Sequence, residues 1–183
     1  LRKNREARFQ QLKVNAPQYG FEVEEIPRQD VDNVGVSSTK IRKALEQGDV
    51  LTASHFLGRS YSLTGRVIAG DKIGRLLGFP TANLELDSKH KLIPMEGIYA
   101  VTVQHERDLY KGMLYIGYRP TINGNKLNIE VNIFEFDKDV YGENITINLH
   151  HLIRGDAKFS DLEQLKDQLK LDKLDALRLL SSI

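Results

Sequence analysis

Gly70-Asp71-Lys72-Ile73-Gly74-Arg75-Leu76-Leu77-Gly78-Phe79-Pro80-Thr81-Ala82-Asn83 is the stretch on which the reading of this chain turns. Gly70, Gly74 and Gly78 are evenly spaced, Lys72 and Arg75 stand between them, and a Pro-Thr-Ala-Asn tetrad follows at once. Lacking a Cβ, glycine lets backbone N–H groups come close to an anion. Lys72 can then neutralise phosphate oxygens as a point charge and Arg75 as a planar fork. Thr81 and Asn83, two residues apart, share one side of an extended backbone. Their neutral oxygens suit Mg²⁺, which keeps several waters and takes further ligands from substrate phosphates. Read alone, a glycine-rich segment is more often a basic loop between two strands. It lacks the Gly-Lys-Ser/Thr ending of a Walker A loop, and its charges exclude a membrane-helix dimer motif.

Outward from the loop the pattern is one of short strands. Leu63, Gly65, Val67 and Ala69 alternate up to it, and strand-like runs follow at 98–103, 112–117 and 145–149. Turns are expected at Arg119-Pro120-Thr121 and Asn123-Gly124. This spacing predicts a β-barrel or sandwich. Within Leu127–Ile133, period 2 puts Leu127, Ile129, Val131 and Ile133 on one face and Asn128, Glu130 and Asn132 on the other. Glu130 therefore points away from the apolar face among neutral amides, either as a solvated side chain or as a carboxylate placed for proton transfer. The chain is expected to end in helices. Ser160 and Glu163 form a capping box ahead of Leu162, Leu165 and Leu169, and Asp172 caps a second segment with Leu174, Leu177 and Leu180. These leucines are expected in the core.

The N-terminal part has a different character. Residues 1–19 read as a helix stopped by Pro17 and Gly20, and 21–26 as a half-buried strand closed by Pro27. Serines at 37 and 38 open a helix to about Gln47, with Gly48 as its stop, and Asp49 caps a short helix through Leu57. Helix, strand, helix is how an open α/β sheet domain ends. Ser37-Ser38-Thr39-Lys40-Ile41-Arg42 reads either as an ordinary helix cap or as an anion site at a helix N-terminus. Gly58-Arg59-Ser60-Tyr61 is the expected junction, dividing the chain into 1–57 and 58–183. The chain begins at Leu1 inside a charged helical pattern, as a piece of a longer protein would.

With 183 residues, 40% of them hydrophobic, there is material for one good-sized domain and part of another. No cysteine is present, so disulfides, thiolate catalysis and cysteine zinc sites are excluded, and a reducing cytoplasm suits the composition. No apolar run approaches the ~20 residues of a membrane span. A net charge of +1, the absence of tryptophan and phenylalanines at apolar positions argue against a nucleic-acid-binding barrel.

Gly78-Phe79-Pro80-Thr81-Ala82-Asn83 resembles the signature of the riboflavin kinase family. In that family a threonine and an asparagine of the same tetrad bind Mg-ATP, under a phosphate-covering glycine loop. Glu130 matches the family's strand glutamate, and Asp137-Lys138-Asp139-Val140-Tyr141-Gly142 resembles the turn after that strand. Further likeness runs through Gly97–Val101, Gly117–Thr121, and Arg154 with Lys158-Phe159-Ser160-Asp161-Leu162. The resemblance implies a six-stranded antiparallel, Greek-key-like barrel with C-terminal helices. It implies transfer of the γ-phosphoryl group of Mg-ATP to the ribityl 5′-hydroxyl of riboflavin, giving FMN and ADP. Glu130 is then the catalytic base, Thr81 and Asn83 hold Mg²⁺, and Gly70, Lys72, Gly74, Arg75 and Gly78 cover the phosphates. Arg154 falls on the flavin side. The alternative is a barrel that binds flavin or nucleotide without turnover.

Asn4-Arg5-Glu6 and the Ser37–Arg42 stretch are similar to the FMN adenylyltransferase domain of bifunctional bacterial riboflavin kinase/FAD synthetases. Residues 1–57 thus look like the tail of an incomplete, Rossmann-like α/β nucleotidyltransferase domain. The histidine pair of that domain has no counterpart here, so this chain alone should not make FAD.

Overall fold

Strands with one apolar face each need a shared interior, and six of them here supply it by closing on themselves. The structure, a computed structural model, describes residues 2–24, 30, 31, 34–70, 73–121 and 124–183. It divides into two units, Leu1–Gly35 and Val36–Ile183. In the first, α1 (Arg2–Asn15) runs into a 3-10 turn, Ala16–Tyr19, which carries Pro17 and ends at Gly20 in the left-handed region. β1 (Asp30–Val31) and β2 (Val34–Gly35) form a small antiparallel ladder. The strand expected at 21–26 is not formed over 21–24, and 25 and 26 lie outside the described residues. The Phe21 N–H donates back to the Ala16 carbonyl at 3.3 Å, so the chain is still turning there.

In the second unit, α2 (Ser38–Glu46) and α3 (Val50–Leu57) carry the expected caps. The Ser37 hydroxyl accepts from the Lys40 N–H at 3.3 Å and the Asp49 carboxylate from the Thr52 N–H at 3.0 Å. Ala44, Leu45, Val50 and Ala53 join the apolar cluster of the barrel. By packing, then, 36–57 belongs with the barrel, although its sequence pattern grouped it with residues 1–35.

The barrel strands are β3 (Tyr61–Ile68), β4 (Ala82–Leu86), β5 (Gly97–His105), β6 (Asp108–Thr121), β7 (Gly124–Ile133) and β8 (Asn144–Gly155). Their order is β3-β4-β7-β6-β5-β8, all antiparallel, with β8 closing on β3. The steps from β4 to β5 and from β7 to β8 skip neighbours, which gives the Greek-key character. Leu63, Val101, Leu114, Ile116, Ile147 and Leu149 fill the interior and are fully buried. Ile98, Ala100 and Met113 face outward instead, under Ala176 of α5 (Leu162–Leu179) and Leu180 just after it. Both faces of β5 are covered, which is why apolar residues occupy successive positions from Ile98 to Val101 instead of alternating with polar ones.

Two expectations fail at strand and helix ends. Arg119–Thr121 is not a turn but the end of β6, paired with Gly124–Lys126 of β7; residues 122 and 123 lie outside the described residues. At the C-terminus one helix stands where two were expected. α5 is capped by Asp161 rather than Ser160, its carboxylate accepting from the Gln164 N–H at 2.9 Å. It runs on through Asp172, whose carboxylate is occupied elsewhere. Leu162, Leu174 and Leu177, expected in the core, are exposed, as is Leu171; the core contacts come from Leu169, Ala176, Leu179 and Leu180.

The Asp161 carboxyl is held below its ordinary value, first by the Gln164 N–H and next by the Ser160 hydroxyl. Its capping contribution is present above the ordinary carboxylate range and lost as pH falls through the lowered value. Asp161→Ala is expected to lower Tm by roughly 2–4 °C at neutral pH and by less in acid, read by thermal scans at both.

Candidate active site

The outward side chains of β7 grip the tetrad. Asn132, itself buried, donates from Nδ2 to the Pro80 carbonyl at 2.6 Å. Thr81 Oγ1 donates to Glu130 Oε2 at 2.9 Å, and Asn128 Nδ2 donates to Glu130 Oε1 at 2.7 Å. Asn83 stands opposite Glu130 in the β4–β7 register, so the two side chains leave the same face of the sheet. The alternation that set Asn128, Glu130 and Asn132 apart from the apolar residues thus builds a polar ladder against Pro80–Asn83.

The glycine segment folds over this ladder. α4 (Ile73–Leu76) is a single turn, and the Phe79 N–H returns to the Gly74 carbonyl at 2.8 Å. Gly78 makes that return possible with φ +84°, a region that L side chains rarely enter. Gly70 lies against the Asn83 carboxamide. Gly74 is packed so closely on the Phe79 carbonyl that a Cβ there would collide with it, and the same Cβ would sit 3.3 Å from Thr81 Oγ1. Two of the glycines are therefore present for contact and one for conformation.

Two pockets meet at Thr81. One, of about 610 Å³, is lined by Arg75, Pro80, Thr81 and the segment 136–141 at the end of the barrel. Its far wall is anchored below: the buried His105 bonds through Nε2 to the Glu143 carboxylate, and its ring meets the Phe136 ring edge-on, 5.8 Å between centroids. The other pocket, of about 300 Å³, lies on the outside of the barrel between α4, β7 and α5. It is mainly apolar, walled by Phe79, Met113, Leu165 and Leu169, and Thr81, Glu130, Arg154 and Phe159 line it as well. Both volumes fall in the range of small-molecule sites.

Most of the expected residues come together here. Thr81 and Glu130 are in contact, Asn83 and Gly70 touch beside them, and Arg75 lines the larger pocket. Lys72 lies outside the described residues. Arg154 lines the smaller pocket with its guanidinium engaged: Nε and Nη2 donate to the two carboxylate oxygens of Asp172 at 2.9 and 2.7 Å, and Nη1 donates to the Gly155 carbonyl. Sequence reasoning missed the role of Asn132, whose amide gave it the same signal as its neighbours, and that of Asp172, which looked like a helix cap. Ser37 caps α2, which is the ordinary reading of its motif.

The donor set fits a hard divalent cation. Thr81 commits its proton to Glu130, which turns the oxygen lone pairs outward, and the Asn83 carboxamide stands two residues on. Among the described residues no group of three or more His, Cys, Asp or Glu side chains gathers to hold a metal. A cation here would lean on neutral oxygens, water and substrate oxygens, which is the habit of Mg²⁺. No helix among the described residues is long and apolar enough to cross a membrane.

The chain is 38% identical over 170 residues to the bifunctional riboflavin kinase/FMN adenylyltransferase of Haemophilus influenzae, covering 92% of this chain and 54% of that protein. It is 40% identical over 164 residues to the protein of the same description from Bacillus subtilis, covering 88% and 51%. A crystal structure described as a macrolide-efflux protein from Streptococcus pneumoniae superposes with a TM-score of 0.77 at 37% identity, over 86% of this chain and 52% of that one. The chain spans about half the length of the relatives it matches. Residues 57–180 match the flavokinase (riboflavin kinase) family, and on that match the chain belongs to the riboflavin kinase family.

Proposed function

We propose that this chain transfers the γ-phosphoryl group of ATP to the 5′-hydroxyl of riboflavin, with Glu130 as the base. The observation that carries the reading is the 2.9 Å hydrogen bond from Thr81 to Glu130, which joins the glycine-loop tetrad to a strand carboxylate at the seam of two pockets. The larger pocket, with Arg75 and Pro80–Ala82, takes the nucleotide, and the smaller, mainly apolar one takes the flat flavin ring. The ribityl chain then ends beside Glu130. Glu130 accepts the hydroxyl proton as the 5′-oxygen bonds to the γ-phosphorus, the bond from that phosphorus to the β,γ-bridging oxygen breaks, and ADP leaves. Gly70, Gly74 and Gly78 keep the loop close over the phosphates, and Lys72 and Arg75 offset their charge.

Thr81 and Asn83 would hold Mg²⁺, which when bound neutralises the phosphate oxygens. Purified chain given riboflavin and Mg-ATP is expected to form FMN and ADP, identified by chromatography, and a chelator in excess should abolish both products. Binding without conversion would instead favour the non-catalytic barrel.

Two further readings rest on the similarity to longer relatives. Residues 1–57 are the tail of an FMN adenylyltransferase domain joined to the kinase at 57/58, and the longer protein converts FMN to FAD. Consumption of ATP and the cysteine-free composition favour the cytoplasm as its place of work.

A further inference from the structure

Asp172 is the most deeply buried charge among the described residues of this unit, 1% exposed in the middle of α5. Its two oxygens are taken by Arg154 of β8, and Gln168 donates to one of them at 2.9 Å. Burying an ion pair in this way adds little to stability, because desolvation offsets the attraction, and an apolar pair of similar volume is often as good or better. A helix that already packs on the barrel through Ala176 and Leu180 needs no such pair to stay attached. The pair therefore calls for another explanation, and Arg154 supplies one. Its guanidinium carbon lies 5.5 Å from the centre of the Phe159 ring, within cation–π range, and both side chains line the smaller pocket.

We propose that Asp172 is a positioning residue for the acceptor: it locks the Arg154 guanidinium, which holds the Phe159 ring as a fixed wall against the planar ring of the substrate. The inference rests on the reading of the smaller pocket as the riboflavin site. Three of the five N–H donors of Arg154 go to Asp172 and Gly155, which fixes the plane of the guanidinium, and its part in the wall is played through the contact with the Phe159 ring. Aromatic stacking is orientation-dependent, and a ring free to rotate loses part of it. The same bidentate fork that fixes the guanidinium in the plane would be lost with lysine at 154.

Riboflavin is fluorescent, so its binding can be titrated directly on the 183-residue chain beside the steady-state KM for each substrate. Asp172→Asn is expected to weaken riboflavin about tenfold in both Kd and KM and to leave the KM for ATP unchanged. The double variant Arg154→Met/Asp172→Leu separates positioning from mere attachment of α5. It should keep or raise Tm while losing riboflavin affinity to the same degree. Phe159→Leu, which leaves the ion pair intact, should do likewise without any change in Tm. Riboflavin affinity unchanged in the double variant or in Phe159→Leu overturns the inference while leaving the kinase reading in place. Failure of the wild-type chain to bind riboflavin at all overturns both.

Discussion

Glu130→Gln is expected to lower kcat for FMN formation by roughly 10²–10⁴-fold while leaving the KM for ATP and the Tm close to wild type. The substitution keeps the shape of the side chain and one carbonyl oxygen, so either Thr81 Oγ1 or Asn128 Nδ2 retains its acceptor. The other partner meets an NH₂ group. A hydroxyl can rotate and a carboxamide can flip to accept from it, so the ladder along β7 survives. What the amide cannot do is take a proton from the attacking hydroxyl. Phosphoryl transfer is mostly positioning and charge neutralisation, which is why the expected loss stops short of complete inactivation. An equal loss of ATP binding and turnover would make Glu130 a structural support of the tetrad. A kcat within about threefold of wild type would remove it from the proton path altogether.

The barrel was legible because its strands obey period 2 and its helices carry their own caps. Leu63, Gly65 and Val67 announce β3, Ser37 and Asp49 announce α2 and α3, and the alternation in β7 sets Glu130 apart from Ile129 and Val131 without help from any distant residue. The sheet order was not legible that way. Nothing local to β4 says that it pairs with β7, and the strand count came from family resemblance. Errors cluster where a side chain is claimed by a partner far along the chain. Asp172 looks like a cap because aspartate before an apolar run usually is one, yet its oxygens belong to Arg154 on β8. At 160 and 161 two cap formers stand side by side, and only the backbone angles decide for Asp161. The leucines of α5 misled for a related reason: the stripe is wider than the face that the barrel covers, and Leu162, Leu174 and Leu177 are left in solvent. Phe21–Glu24 alternates like a strand but pairs with no strand among the described residues of its unit. Within the site, Thr81 and Glu130 could each be singled out from their own stretch. That 49 residues of separation close to 2.9 Å is a property of the β4–β7 pairing alone.

Gly74→Ala is expected to cut kcat/KM by about 10²-fold or more with almost no change in Tm, whereas Gly78→Ala should cost far less activity. The two glycines serve different ends. A Cβ on Gly74 collides with the Phe79 carbonyl and crowds Thr81 Oγ1 and Cγ2 at 3.3 Å. The obstacle is backbone, and the Phe79 N–H is bonded back to the Gly74 carbonyl at 2.8 Å, so no rotamer change relieves it. Relief requires α4 to move off the tetrad, and Thr81 is carried with the chain that moves. A displacement of about 1 Å there breaks the alignment of hydroxyl, carboxylate and phosphate on which the transfer depends. Stability is barely involved, because α4 has no buried residue and leaves Ile73 and Leu76 exposed, while alanine favours a helix over glycine by about 1 kcal/mol. Gly78 presents the opposite case. Nothing lies within 4 Å of a Cβ there, so alanine brings only the strain of a left-handed φ, about 1–2 kcal/mol, borne by a loop that can share it. Steady-state kinetics and thermal scans of both variants decide the matter. If Gly78→Ala proves the more damaging to turnover, the loop acts through the conformation of its return and not through its contact with Thr81.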